Sequence, residues 1–409
     1  MIELSAKRSN GLLAKRYASE KRFRAYGGIA LALTTIFLGF LLYDIISKGW
    51  PAFFESHSSL EMKIDPDKVA AGDIANGDFA AIIKQSVREQ FPDIESRADK
   101  KTLASFISQA AGDELRNMVL ANPELIGQTV KVDLLLSADA DLYYKGLIET
   151  DDKLLLDKFS AKLPVTQSIS WRFWTNGDSR EPELAGLLGA IKGSLFTVGI
   201  AIFIGLPLGV FAAIYLEQFA RRNRWTDLIE VNINNLAAVP SIIFGLLGLA
   251  MFLNFFGLPR SAPLVGGLVL ALLVLPTIII ASRAALRAVP PSIKEAALGV
   301  GASKQQAVFH HVLPLALPGI LTGTILALAR AFGETAPLLM IGMVAFIADV
   351  PQSPTDAATV LPVQIYLWSD LPELAFKSKT AAAIIVLIGI LMLANALAIY
   401  MRRKFERRW

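Results

Sequence analysis

Two ionisable side chains four residues apart, Arg330 and Glu334, interrupt an otherwise apolar stretch from Pro318 to Phe346. Arg330 lies twelve residues past Pro318, roughly 18 Å at helical rise and so about halfway through a hydrocarbon layer of about 30 Å. An ionisable residue at that depth costs about 2.5–3.5 kcal/mol on insertion scales. Two kinds of chemistry fit. Positions four apart share a helix face, so the pair can simply neutralise itself. Alternatively the guanidinium, always charged and planar, lines a path for an oxyanion, with Glu334 holding it in place or taking a hydrogen bond from a protonated oxyanion. Gly333 and Pro337 loosen the helix there, and Thr335 adds a hydroxyl.

A second apolar stretch, 229–256, carries Asn232, Asn234, Asn235 and the break Pro240-Ser241. Polar side chains and a proline inside a span predict a face turned to the bundle. The asparagines there serve helix–helix hydrogen bonding, or Asn235 and Ser241 join Arg330, Glu334 and Thr335 along a substrate path. Other chemistries lack residues. There is no cysteine, and the histidines are His57, His310 and His311 alone, so no metal or cofactor is expected on the chain.

A third stretch is built for mechanics: Pro290-Pro291-Ser292-Ile293-Lys294-Glu295-Ala296-Ala297-Leu298-Gly299-Val300-Gly301-Ala302-Ser303. The prolines stop the preceding helix. Ser292 and Glu295 have capping-box spacing, Gly301 suits the left-handed position that ends a helix, and Ser303 with Gln306 repeats the box. The expected object is a helix–glycine–helix elbow with a small face of Ala296, Ala297 and Gly301, stiff enough to carry a rigid-body motion. No G-x-x-x-x-G-K-[ST] phosphate loop occurs, so ATP chemistry of that kind would have to come from a partner.

The elements that must hold these groups are membrane spans. Apolar residues make up 54% of the 409 residues, mean hydropathy is +0.48, and the apolar residues fall in blocks of roughly 20, the length of a crossing helix. Six spans are expected, near 25–46, 187–216, 229–256, 263–282, 317–347 and 380–400. Residues 1–24 form a basic tail, 25–48 the first crossing helix, and 185–401 the remaining transmembrane domain with the elbow loop at 283–316. The C-terminus, 402–409, is again basic. Arg221, Arg222 and Arg224 follow the second span, and Arg283, Arg287, Lys294 and Lys304 the fourth. Both termini and these loops are therefore expected in the cytoplasm, and the basic excess points to membrane rather than nucleic acid.

Residues 49–184 differ: 15 Lys/Arg stand against 23 Asp/Glu. They read as a small α+β extracytoplasmic domain, with helices over Ala80–Phe91 and Leu103–Leu120 and strands over Thr129–Leu136 and Leu142–Ile148. A membrane sensor using this domain would need an output domain in the cytoplasm, and the longest loop there is the elbow.

Glu295-Ala296-Ala297, then Gly301, then Leu313-Pro314 resembles the EAA loop of type I ABC-importer permeases, although His311 stands where that family carries an aliphatic residue. The resemblance implies that the elbow is a coupling helix docked on a separate ATPase, with ATP and magnesium bound there. Arg330-Ala331-Phe332-Gly333-Glu334-Thr335-Ala336-Pro337, followed by Leu361-Pro362-Val363-Gln364-Ile365-Tyr366, is similar to the A-type permeases of the phosphate-uptake ABC transporters over about 186–400. That family implies a pathway for inorganic phosphate through Arg330 and Glu334 in a bacterial inner membrane. It also implies a homologous C-type permease (PstC-like), a PstB-like ATPase homodimer and a PstS-like phosphate-binding protein. Phosphate keeps a proton near neutral pH that sulfate lacks, which would give Glu334 a partner. Sulfate or molybdate remain alternative cargoes for the arginine.

Overall fold

The computed structural model describes residues 2–69 and 74–405; Arg407 and Arg408 of the basic C-terminus lie outside them. The first helix, α1 (Ile2–Gly49), is continuous through the basic tail and the apolar run, so the tail extends the span as a single rod.

The N-terminal domain is built on a three-stranded antiparallel sheet. Its central strand β1 (Phe54–Lys63) lies between β2 (Thr129–Leu135) and β3 (Val165–Ile169). Ser56, Ser58, Leu60 and Met62 face inward from β1. The helices α2 (Phe79–Gln90), α3 (Arg97–Ser105), α4 (Ala110–Ala121), α5 (Ala138–Tyr144), α6 (Lys153–Lys162) and α7 (Trp171–Thr175) complete the domain. Ile82, Val87, Leu115, Val119, Val132, Leu134 and Phe159 close its core, each large apolar side chain contributing about 1.5–3 kcal/mol by leaving water.

Two expectations for this domain are corrected. Leu103–Leu120 is two helices, because the Ser108 N–H donates to the Leu135 carbonyl at 2.9 Å and the Ser137 N–H to Phe106 at 2.8 Å, which draws 106–109 to the sheet. The strand expected over Leu142–Ile148 is instead α5 and the turn after it. Asp139 and Asp141 in the first turn suit a helix N-terminus, and Asp141 is engaged there by the Ser56 N–H at 2.9 Å and by Lys145. Strands β1 and β3 are additions: serine at two inward positions of β1 hides its alternation.

The transmembrane part comprises α8 (Leu188–Ile214), α9 (Arg224–Ala237), α10 (Ser241–Gly248), α11 (Pro263–Arg287), the elbow helices α12 (Pro291–Gly299) and α13 (Lys304–Gln306), α14 (Leu313–Gly333), α15 (Ala336–Met340), α16 (Leu361–Ser369) and α17 (Leu374–Phe405). Short π-turns extend α8 to Phe219, extend α10 to Phe255 and lead into α14 from Ala307. The last of these precedes Pro314, which has no N–H to offer the His310 carbonyl. Helices α8 and α11 run parallel, with Gly205 against Val274 and Gly209 against Ile278; helix α14 returns antiparallel, with Gly319 against Ala285 and Gly323 against Ala281. Small residues at such crossings let backbones approach in lipid.

Among the described residues, five helices are long and apolar enough to cross a membrane, and α9 with α10 forms a sixth unit bent by 101°. The bent unit is one crossing. Its α9 end pairs with the elbow end of α11 through Glu230 and Arg283, and its other end leads to Ser261, whose hydroxyl donates to the Gly342 carbonyl at 2.6 Å on the domain side. The third span is therefore real but sharply broken. The fifth begins and ends earlier than expected, over Lys304–Gly333 rather than 317–347. Helix α14 stops at Gly333 and Glu334 is extended (φ −77°, ψ 124°), because continuing the helix would drive the Pro337 ring into the Gly333 carbonyl.

The N-terminal domain is packed onto the bundle. Ala52 and Phe173 share one core with Ala185, Leu187, Trp368, Phe376 and Ala382, the Trp368 indole donates to Asp178 at 2.8 Å, and buried Lys379 donates to the Ala185 carbonyl.

Candidate functional site

Arg330 occupies the last turn of α14, where a cation opposes the partial negative charge of the helix end. Its Nε donates to Glu334 Oε1 at 3.3 Å. The two do not share a helix face, as their spacing suggested: Glu334 lies past the helix end and reaches back. Depth follows from register. The contacts of Gly319 with Ala285 and of Gly323 with Ala281 carry α14 along α11 residue for residue, which brings Arg330 level with Val274, about 16 Å from the start of α11 at helical rise. The guanidinium is open to the outside of the single chain and Glu334 is mostly covered.

The broken third span meets this pair. Gly245 lies against Pro337, where an added methyl would stand 2.7 Å from the Pro337 Cα, and Gly248 faces Ile341. Helices α10 and α15 thus run side by side in the same direction, and Ser241 lies one turn before Gly245 at the start of α10. Thr335 opens α15, its carbonyl accepting from the Leu338 and Leu339 N–H groups at 3.1 Å. Arg330, Glu334 and Thr335 are therefore neighbours at the break between α14 and α15, and no hydrogen bond among the described residues joins Ser241 to them. Asn235 is exposed on α9, on the other side of the bend, and no hydrogen bond among the described residues joins it to the pair. Asn232 bonds the Leu228 carbonyl of its own helix at 2.7 Å rather than a neighbouring one.

The elbow forms, with one change of detail. Pro291 is the first residue of α12 and no side chain caps that helix, so the Ser292–Glu295 box is not made; Ser292 sits inside the first turn, where its hydroxyl is past the capping position. The end of α12 is a Schellman motif. The Ala302 N–H donates to Ala297 at 3.1 Å, the Gly301 N–H to Leu298 at 3.0 Å, and Gly301 has φ +90°. The second box is complete: the Gln306 N–H donates to Ser303 Oγ at 3.2 Å, and the Ser303 N–H to Gln306 Oε1 at 2.9 Å. Ala297 is buried beneath the elbow, whereas Glu295, Ala296 and Gly301 are exposed. The most protruding apolar side chain is Val300, 87% exposed, with Leu298 beside it. Neither was singled out from the sequence. Their one signal there is bulky aliphatic character flanking Gly299 and Gly301, next to the helix end.

The elbow is also held from the side. Glu217 accepts from Arg287 Nε at 2.8 Å and Arg283 Nε at 3.4 Å, and Arg283 reaches Glu230 as well. The next residue, Gln218, accepts from Lys294 of α12 at 2.7 Å. Phe219 lies under the Lys304 ammonium at 5.1 Å. Burial, with the nearby Lys304 charge, pushes the Lys294 ammonium below its usual value. Three consecutive residues of one π-turn thus grip α11, α12 and α13. Glu217→Ala should lower stability by about 1–3 kcal/mol, the cost of leaving the mostly buried Arg283 with one partner fewer. Thermal unfolding in detergent reads that loss, with the exposed Glu295→Ala as a variant expected to show little change.

Helices of crossing length, a bent third crossing and a rigid projecting elbow define a permease subunit of a transport system. Residues 205–409 match the family of binding-protein-dependent transport system inner membrane components, and the chain belongs to that family. It resembles the phosphate transport system permease protein PstA 1 of Mycobacterium tuberculosis (strain CDC 1551 / Oshkosh), with 32% identity over 60% of this chain and 79% of that protein. The phosphate transport system permease protein PstA of Haemophilus influenzae is 36% identical over 42% of this chain and 60% of its own length. A solved structure of the inward-facing MetNI methionine ABC transporter is 19% identical, covering 54% of this chain and 95% of that one, with a TM-score of 0.42. Residues 10–153 match a domain of unknown function, DUF3333.

Proposed function

We propose that this chain is the A-type permease of an ATP-driven phosphate importer. The observation that carries the reading is the Arg330–Glu334 pair, level with the middle of α11, in a chain whose relatives are named as phosphate transport permeases. Arg330 offers charge-assisted hydrogen bonds to an oxyanion. Glu334 orients the guanidinium and can accept from a protonated phosphate oxygen. Thr335, beside Glu334, and Ser241, at the start of α10, supply hydroxyls along the same path.

Energy enters at the elbow, where the exposed Leu298 and Val300 present a rigid apolar tip to a separate ATPase that binds ATP and magnesium. A homologous C-type permease, a PstB-like ATPase dimer and a PstS-like phosphate-binding protein complete the assembly. The basic residues on the elbow side support cytoplasmic termini and a cytoplasmic elbow in a bacterial inner membrane, with the acidic domain on the outer side. The test is uptake by the full complex in lipid vesicles. Radiolabelled phosphate should accumulate on ATP addition, and excess sulfate or molybdate should not displace it. Preferential uptake of either competitor would overturn phosphate as the cargo while leaving an oxyanion permease standing.

A further inference from the structure

We propose that the base of the 49–184 domain is seated in the lipid head-group layer through a belt of exposed aromatic residues, rather than standing clear of the membrane in water. The proposal rests on where α1 ends. Its apolar run, Ala25 to Ile46, is about 33 Å long at helical rise, enough to cross a hydrocarbon core of about 30 Å. Trp50 is four residues, one further turn, beyond Ile46, which puts its ring at head-group depth. Depth is then passed from ring to ring. Trp50 lies 6.0 Å from both Phe53 and Phe54, and Phe53 stacks on Trp174 at 5.7 Å. Phe54 faces Ile169 across the β1–β3 register, and Ile169 lines a shallow groove together with Trp171.

Phe53 packs against the core beneath, but the outer side chains of this series do not. Trp50 is 60% and Trp171 69% exposed, and Ile169 and Trp174 are also open, whereas the aromatics Phe91, Phe106 and Phe159 of the same domain are buried. Their polar atoms are equally open. Among the described residues, the indole N–H groups of Trp50, Trp171 and Trp174 have no partner in the chain, while that of buried Trp368 donates to Asp178 at 2.8 Å. An apolar ring with a free N–H is the form that tryptophan takes at membrane interfaces, one face in acyl chain and the donor toward head groups.

The belt cannot drift from this depth. A methyl on Gly49 would stand 2.7 Å from the backbone of Ala381 and Ala382, so the end of α1 is wedged on α17. Lys379, one turn away on α17, ties to Ala185. Arg172, beside Trp171, is spoken for by Glu55 at 2.6 Å and by Glu114, leaving the rings as the surface on offer.

The test uses the full chain in its complex, reconstituted in lipid nanodiscs. The difference in emission between the parent and Trp171→Phe isolates Trp171 without disturbing Trp368, and Trp50→Phe does the same for Trp50. Phospholipids brominated near the head group should quench both indoles more than phospholipids brominated deep in the acyl chain, and aqueous acrylamide should quench them weakly. Strong acrylamide quenching with none from brominated lipid would overturn the proposal, because the domain would then stand in water. Shielding from both quenchers would overturn it equally, because a protein would be covering the belt.

Discussion

Arg330→Ala should abolish phosphate uptake while the ATPase still co-purifies with the permease. The expected size comes from what the guanidinium supplies. A hydrogen bond to a charged group contributes about 1.5–3 kcal/mol, or about 10- to 150-fold in rate or affinity for each bond lost. The substitution also leaves Glu334 without its 3.3 Å partner, so a carboxylate faces the incoming anion alone. Arg330→Lys should fall in between, keeping the charge but losing the planar fork. The elbow lies at the other end of α14, beyond Leu313, so co-purification measures a property the substitution does not touch. Radiolabelled uptake in vesicles is the readout. Normal uptake by Arg330→Ala would remove the arginine from the pathway and leave the pair as a self-neutralising element of the helix end.

The second large effect is expected at Gly301. Its φ of +90° lies where side chains are strained, yet an added Cβ would meet no atom of the chain within 4 Å. Substitution therefore acts through the backbone and through whatever docks, not through internal crowding. The left-handed conformation costs an ordinary residue about 1–2 kcal/mol and asparagine less. Gly301→Asn should retain most of the co-purifying ATPase, Gly301→Ala less, and Gly301→Val least, since a β-branched residue is a genuine outlier there. Full retention in Gly301→Val would show that the elbow is not the docking element. Loss in Asn equal to that in Val would still support docking, with the groove on the partner too close to admit any side chain.

Much of this was legible in the chain. The α1 span could be read because one long apolar run needs no tertiary information, and Gly301 because a turn requirement is local. The same holds for the Ser303–Gln306 box. Ser292 and Glu295 failed for an equally local reason: Pro291 takes the first helical position and moves the start of α12 past the serine. β1 stayed hidden because Ser56 and Ser58 face the core, where hydrophobic alternation was sought. The end of the fifth span was misread because hydropathy does not register that Pro337 ends a helix four residues earlier.

What the sequence by itself determined is a crossing protein with basic and acidic sides, a capped elbow and one charged pair within apolar surroundings. Each of these depends on composition or on residues within a helical turn of one another. Tertiary structure alone decided what surrounds the pair. The fold bends the third span by 101° and lays Gly245 against Pro337, some ninety residues away. Likewise Arg283, Arg287, Lys294 and Lys304 read as charges that orient loops, and only the fold makes them the contacts of Glu217, Gln218 and Phe219. Contacts between distant segments are set by helix packing and register, which no local pattern encodes.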